Sequence, residues 1–147
     1  MLTPRRPPWP RPDGPPRNRA ALRRGGGASR PPVGRSRAAT GRIHHATDAT
    51  FAALVADAPA VLVDLWAPWC PPCLALQPII KKVAATLGRR VKVVKVNVDE
   101  NPELTRKFRV TAIPKLVLIH GARRRAQVGL LGEAALREWV RAGLATN

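Results

Sequence analysis

The chain has 147 residues and a formal net charge of +17, and its length and charge both limit what it can be. Residues 42–147 number 106, which is enough for one hydrophobic core, and no second domain fits in the remainder. The charge divides into +9 for residues 1–41 and +8 for residues 42–147. Because both parts are basic, we expect association to be steered toward acidic partner surfaces at low salt.

Residues 1–41 have the composition of a disordered tail. They contain nine prolines, ten arginines and the triplet Gly25-Gly26-Gly27, with almost nothing that can form a core. Clustered arginines neutralise phosphates, so one function of such a tail is weak, non-specific contact with nucleic acid. An organelle transit peptide and a translation start assigned too far upstream are the alternatives. The segment lacks the apolar stretch of a secretion signal, and this absence favours a cytoplasmic protein.

From residue 42 onward, strand patterns alternate with helix patterns. The predicted elements are, in chain order, a helix over 47–57, a strand over 60–67, a helix from the cysteines to 87, a strand over 91–98, a helix over 101–108, strands over 115–120 and 125–130, and a closing helix over 133–144. Thr47 can cap the first helix, and Arg123-Arg124-Arg125 are expected at the solvated tip of a hairpin around Gly121. This order predicts an α/β fold with a central mixed sheet flanked by helices on both faces.

Both cysteines of the chain lie in the segment WAPWCPPC, directly after a run of apolar strand formers. Two thiols at this spacing at the start of a helix can close a disulfide with little motion, and the helix N-terminus stabilises a thiolate on the first. Cys70 is therefore the predicted nucleophile and Cys73 its resolving partner. The same spacing is half of a zinc site, which would need two of His44, His45 and His120 as further ligands.

Asp64 interrupts the otherwise apolar run AVLVDLW, which reads as a strand buried on both faces. Burial of a carboxyl without a full set of partners raises its pKa and makes it a useful proton acceptor near neutrality. We expect Asp64 to serve the cysteines in this way. The structural alternative is a buried ion pair between Asp64 and Lys95.

The segment VLVDLWAPWCPPC, with its buried acid, two tryptophans and two cysteines, resembles the active-site strand and helix start of thioredoxins. The likeness covers roughly residues 42–147 and implies the thioredoxin fold, with a short first strand near 42–43. It continues at Pro78, where the family has a kink in the active-site helix, and at Lys95, where it keeps a lysine near the buried acid. Ile113-Pro114 corresponds to the cis-proline loop that faces the cysteines, and Gly129 to the glycine of the last strand that lines the substrate groove.

The sequence departs from the common thioredoxin pattern at two places. Pro71-Pro72 stands where Gly-Pro is usual, and Lys115 follows the cis-proline position where threonine is usual. Both departures bear on redox poise and partner choice rather than on the fold. The tryptophan beside the nucleophile offers a flat apolar surface for an extended substrate. The expected substrate-binding residues are Trp69, Pro71, Pro72, Ile113, Pro114 and Gly129.

The function that the resemblance implies is a monomeric protein dithiol–disulfide oxidoreductase that reduces client disulfides through Cys70 and Cys73, with Asp64 and Lys95 as catalytic partners. It implies no bound cofactor or metal and no membrane association. NADPH is used indirectly, through a flavin-dependent thioredoxin reductase. The alternatives are an oxidising or isomerising relative with the same fold, and a non-catalytic binding module that uses the groove to hold partners.

Overall fold

The computed structural model describes residues 42–145. The predicted disordered tail, residues 1–41, lies outside the described residues. The elements are β1 (Ile43–His45), α1 (Phe51–Val55), β2 (Ala60–Trp66), α2 (Pro71–Leu87) followed by a 3₁₀ turn (Gly88–Arg90), β3 (Lys92–Asn97), α3 (Pro102–Lys107), β4 (Lys115–His120), β5 (Arg123–Val128) and α4 (Glu133–Ala145). Among these helices, none is long and apolar enough to cross a bilayer.

The five strands form one mixed sheet in the order β1-β3-β2-β4-β5. The first three are parallel, whereas β4 runs antiparallel to β2, and β5 antiparallel to β4. The parallel strands are joined through helices, which is the connection that parallel pairing requires. The predicted mixed sheet and its order of elements are confirmed.

Two apolar cores lie on opposite faces of the sheet, because successive strand residues point to opposite faces. Leu62, Val93 and Leu118 pack with α2 and α4 on one face. Val63 and Val94 pack with α1 and α3 on the other. The central strands are therefore mostly apolar, since both of their faces are covered, and Asp64 and Lys95 are the buried charged residues within them.

The structure corrects three details of the predicted elements. The first helix begins at Phe51 rather than at Thr47, because the Thr47 carbonyl accepts from the amides of both Thr50 and Phe51 in a separate turn. Strand β5 begins at Arg123, so the arginine run lies within an edge strand and not at the hairpin tip. The turn needs only residues 121–122, since Gly121 adopts a φ of 61°. Gly129 follows β5 rather than lying within the last strand.

Gly143 allows α4 to approach the sheet closely. It is buried in the last turns of the helix, and a Cβ there would collide with Leu118 Cδ2 and lie 3.2 Å from Arg125 Cδ. Leu118 is a core residue and is 1% exposed, so it has little room to move.

We expect Gly143→Ala to destabilise the domain by about 1–2 kcal/mol, because overpacking against Leu118 outweighs the better helix propensity of alanine. Gly132→Ala is the matched control, since a Cβ at that position meets nothing within 4 Å. The free energy of unfolding in urea measures both variants. A Gly143→Ala protein as stable as the control would show that the core yields at this contact.

Candidate functional site

The two cysteines lie where β2 ends and α2 begins. Cys70 is the N-cap of α2, with extended backbone angles, and its sulfur is bonded to that of Cys73. Pro71 and Pro72 occupy the first two helical positions and have no N–H to donate. The amide of Cys73 donates to the Cys70 sulfur at 3.3 Å. Because neither proline can donate, the Cys73 amide is the backbone donor to the Cys70 sulfur.

The cis-proline loop lies against Cys70. The Ile113-Pro114 peptide bond is cis, in agreement with the resemblance. The Ile113 carbonyl oxygen is 4.0 Å from the Cys70 sulfur, and the Pro114 carbonyl accepts from the Gly129 amide at 2.8 Å. The structure therefore brings the cysteines, the cis-proline loop and Gly129 into one region.

Trp69 forms the exposed side of this region. Its side chain is 66% exposed, and its indole N–H donates to Asp99 Oδ2 at 2.7 Å. Pro71 and Pro72 are exposed beside it. The hydrogen bond fixes the ring while its apolar face stays open to solvent.

Sequence reasoning missed three residues of this surface. Asp99 is 30 residues from Trp69, and no sequence periodicity connects them. Val128 and Leu130 are 49% and 48% exposed and flank Gly129, which bonds to the cis-proline loop. In the sequence, these two residues stand out as an apolar pair in a segment that is otherwise polar. Large exposed apolar side chains mark interaction sites when they cluster.

Asp64 lies in the middle of β2, on the face that packs against α2. Alternation places it on the same side as Leu62, which belongs to the core beneath α2. It is fully buried, and neither of its carboxylate oxygens has a hydrogen-bond partner among residues 42–145. Burial raises the pKa of Asp64 from its ordinary 3.8 to about 6, and the positive charge of Lys95 opposes part of that rise.

Lys95 is the direct neighbour of Asp64 in the pairing of β2 with β3. It is 7% exposed, and its ammonium group lies over the Trp66 ring, 4.2 Å from the centroid. Since the Asp64 oxygens have no hydrogen-bond partner in the described part of the chain, the two residues interact through their charges rather than through a hydrogen-bonded ion pair. Burial lowers the pKa of Lys95, and Asp64 opposes that shift.

Lys115, the departure after the cis-proline, directs its charge away from the cysteines. Its ammonium group donates to the carbonyls of Phe108 at 2.8 Å and Arg109 at 3.2 Å, at the C-terminal end of α3. A cation satisfies the last carbonyls of a helix, and here it also supports the turn at Arg109, whose φ is 51°. Lys115 is therefore occupied in holding α3.

The remaining sequence-predicted residues lie outside the cysteine region. Pro78 is within α2 and exposed. His44 is on β1, with its pKa lowered by burial and by neighbouring cations, and His120 ends β4. Among residues 42–145, no three histidine, cysteine or acidic side chains lie together as a metal site would require.

The chain is similar in sequence and in structure to known proteins. The family model for thioredoxin matches residues 42–142. A thioredoxin of Rickettsia bellii is 43% identical over 97 residues, which are 64% of this chain and 91% of that protein. A bifunctional thioredoxin reductase/thioredoxin of Mycobacterium leprae is 40% identical over 92 residues, covering 61% of this chain and 20% of that protein. The crystal structure of chloroplastic thioredoxin z superposes with a TM-score of 0.64 at 31% identity, covering 71% of this chain and 96% of that chain.

The raised pKa of Asp64 makes folding stability depend on pH. Because the folded state binds the proton up to about pH 6 and the unfolded chain only to about 3.8, the stability that Asp64 contributes is greatest below the lower value and falls as pH rises through the higher one. The loss amounts to about 3 kcal/mol. We expect Asp64→Asn to remove most of it, so that the variant is more stable than the parent at pH 8 and similar at pH 4.

Urea unfolding of the oxidised proteins across this pH range measures the effect. Asp57→Asn is the control, since Asp57 is exposed. A parent whose stability does not fall between acid and neutral pH would show that Asp64 is not penalised by burial.

Proposed function

The chain belongs to the thioredoxin family and is a protein dithiol–disulfide oxidoreductase, and from this premise we propose how its residues divide the reaction. The observation that carries the proposal is the bonded Cys70–Cys73 pair at the start of α2, with the Cys73 amide directed at the Cys70 sulfur. The Cys73 amide and the N-terminus of α2 both favour negative charge on the Cys70 sulfur. Cys70 is therefore the group that begins the reaction.

The first step is attack of the Cys70 thiolate on a client disulfide. A bond forms between Cys70 and one client sulfur, and the other client sulfur leaves as a thiolate. The Cys70 side chain is only 4% exposed, so a client must bring its disulfide into the region bounded by Trp69 and Ile113-Pro114. An extended client segment that lies along the cis-proline loop can do so by pairing with its backbone.

The second step is attack of Cys73 on the Cys70 sulfur. Cys73 is 1% exposed and must lose its proton before it attacks. Asp64 lies beneath α2 on the same side of the sheet, and its pKa of about 6 leaves it largely ionised at neutral pH and able to take that proton. The new Cys70–Cys73 bond releases the second client thiolate, and the client is reduced by two electrons.

Lys95 is a positioning residue in this scheme. Its charge opposes the rise in the pKa of Asp64 that burial produces, and so keeps the base ionised at neutral pH. Its place over the ring of Trp66 links it to a residue that packs against the buried cluster containing Cys70 and Cys73. We place Trp69, Pro71, Pro72, Ile113, Pro114 and Gly129 in client binding, with Val128 and Leu130 extending that surface.

The oxidised pair must be reduced again, and we propose a thioredoxin reductase that draws on NADPH. The protein from Mycobacterium leprae joins a reductase and a thioredoxin in one chain, which supports a reductase partner for this domain. Clients with acidic surfaces suit the basic domain, and we propose that it acts as a monomer in the cytoplasm. A non-catalytic role for the groove is disfavoured, because both cysteines and Asp64 are in place.

Replacement of each cysteine separates the two steps. We expect Cys70→Ser to abolish reduction of insulin by dithiothreitol and Cys73→Ser to trap clients as mixed disulfides, because the resolving thiol is then missing. Ala75→Ser, in the same helix, is the matched control and keeps full activity. Alkylation by iodoacetamide at neutral pH labels Cys70 first in the reduced protein, and faster labelling of Cys73 would reverse the assignment.

Asp64→Asn tests proton transfer to the buried acid. We expect the first attack to proceed at nearly the parental rate and resolution of the mixed disulfide to slow by roughly tenfold or more below about pH 8, where thiolate supply limits the step. Rapid acid quenching of a single turnover measures both rates. Asp57→Asn serves as the control, and parental rates of resolution in Asp64→Asn would leave the acid with a structural role only.

A further inference from the structure

Strand register collects arginines at the end of the sheet that is remote from the cysteines. Ile43 pairs with Val93, Val61 with Lys92, Ala60 with His120, and His120 with Arg123, so the beginnings of β1, β2, β3 and β5 meet there. The exposed arginines on or beside these strand ends are Arg42, Arg89, Arg90, Arg123 and Arg124. We call this surface, together with Arg141 of α4, the basic end.

Helix α4 joins the basic end through its last turns. Arg90 and Arg141 line the same cavity of about 260 Å³, between the end of α2 and the end of α4. The Arg141 side chain is 74% exposed, and its ion pair with Glu138 has an N–O distance of 3.9 Å. Water screens such an exposed ion pair and makes it weak. The basic end therefore runs from the edge strand β5 to the ends of α2 and α4 on one face of the sheet.

The acids of the domain lie mainly at the other end. Asp48 follows β1, and its carboxylate accepts from the first amides of α3. Asp99, Glu100 and Glu103 follow β3, and Glu133 begins α4. Of the other acids between residues 42 and 145, Asp64 is buried, Glu138 is in mid-α4 and Asp57 precedes β2 near the basic end. The acids of the domain are thus sparse at the basic end, where Asp57 is the one acid among the described residues.

The basic end offers cations without an apolar centre. The large apolar side chains recorded as exposed in residues 42–145 are Trp69, Leu74, Val128 and Leu130, and all four belong to the cysteine end. Trp139 is half-buried with the Arg125 guanidinium stacked on it at 5.3 Å. A protein partner needs an apolar core in its interface, a bilayer takes up exposed apolar groups, and single strands stack on exposed aromatic rings. Duplex phosphates need only cations.

We propose that the basic end binds the phosphate backbone of duplex nucleic acid without sequence preference. In the sequence, Arg42 of the basic end directly follows the segment 1–41, which carries ten arginines and one aspartate. The cysteines lie at the opposite end, so a bound duplex leaves them open to clients. This inference goes beyond the reductase function and does not depend on the roles assigned to Asp64 or Lys95.

The test is binding of the full chain to a short, fluorescently labelled DNA duplex of arbitrary sequence, followed by anisotropy over a range of salt concentrations. In Arg42→Gln/Arg90→Gln/Arg123→Gln we expect the slope of log affinity against log salt to fall by about two to three, one unit for each lost phosphate contact. The matched control is Lys81→Gln/Lys82→Gln/Arg106→Gln, which removes the same charge from exposed positions on α2 and α3. Its slope should stay within about one unit of the parent.

Insulin reduction and binding to three other polyanions test the proposal further. Both triple variants should reduce insulin at the parental rate, with and without saturating duplex, which shows that the fold is intact and that the cysteine end stays accessible. Vesicles containing anionic phospholipid, polyglutamate and single-stranded DNA should each bind more weakly than the duplex at equal salt. Tighter binding to any of these, or equal losses in the two triple variants, would overturn the assignment to duplex phosphates at the basic end.

Discussion

Burial of the Asp64 carboxyl beneath the cysteine helix is the constraint on which the rest of the site depends. A carboxyl without hydrogen-bond partners in the described chain is unfavourable in an apolar core, and this shows in its pKa of about 6. Only a sheet covered on both faces can hold it there, because an exposed strand would let water reach it. The large cores around α2 and α4 on one side and α1 and α3 on the other stabilise the fold sufficiently to retain this group.

The lysine beside Asp64 tunes the acid without neutralising it. A direct ion pair would hold the carboxylate as a fixed anion and depress its pKa, and a lone buried acid would keep its proton at neutral pH. With its ammonium group over Trp66, Lys95 remains close enough to oppose part of the rise caused by burial. The pKa of Asp64 therefore lies near neutrality, where the proposed mechanism needs a proton acceptor for the Cys73 thiol.

Much of this arrangement follows from local sequence patterns. The apolar runs predict β2, β3 and β4 because strands covered on both faces are continuously hydrophobic, and Gly88 and Asn101-Pro102 mark helix boundaries with known turn chemistry. The sequence predicts Arg123-Arg124-Arg125 at the hairpin tip, whereas the structure has them within β5. Their position depends on the turn being only residues 121–122 long, and local composition does not determine that length. The Trp69–Asp99 hydrogen bond and the placement of Lys95 over Trp66 arise from tertiary distances that no periodicity encodes.

The separation of charge between the two ends follows from the topology. The carboxyl ends of parallel strands all lie at one end of the sheet. The loops after β1 and β3 therefore place Asp48, Asp99 and Glu100 at the end where Cys70 also lies. The arginines of the basic end lie at the opposite end of the sheet, near the amino ends of these strands and the end of α4. Because Asp48, Asp99 and Glu100 lie at the cysteine end, the net positive charge of the domain acts on a client with an acidic surface mainly at long range. In the proposed mechanism, apolar contact at Trp69, Val128 and Leu130 then holds the client beside Cys70.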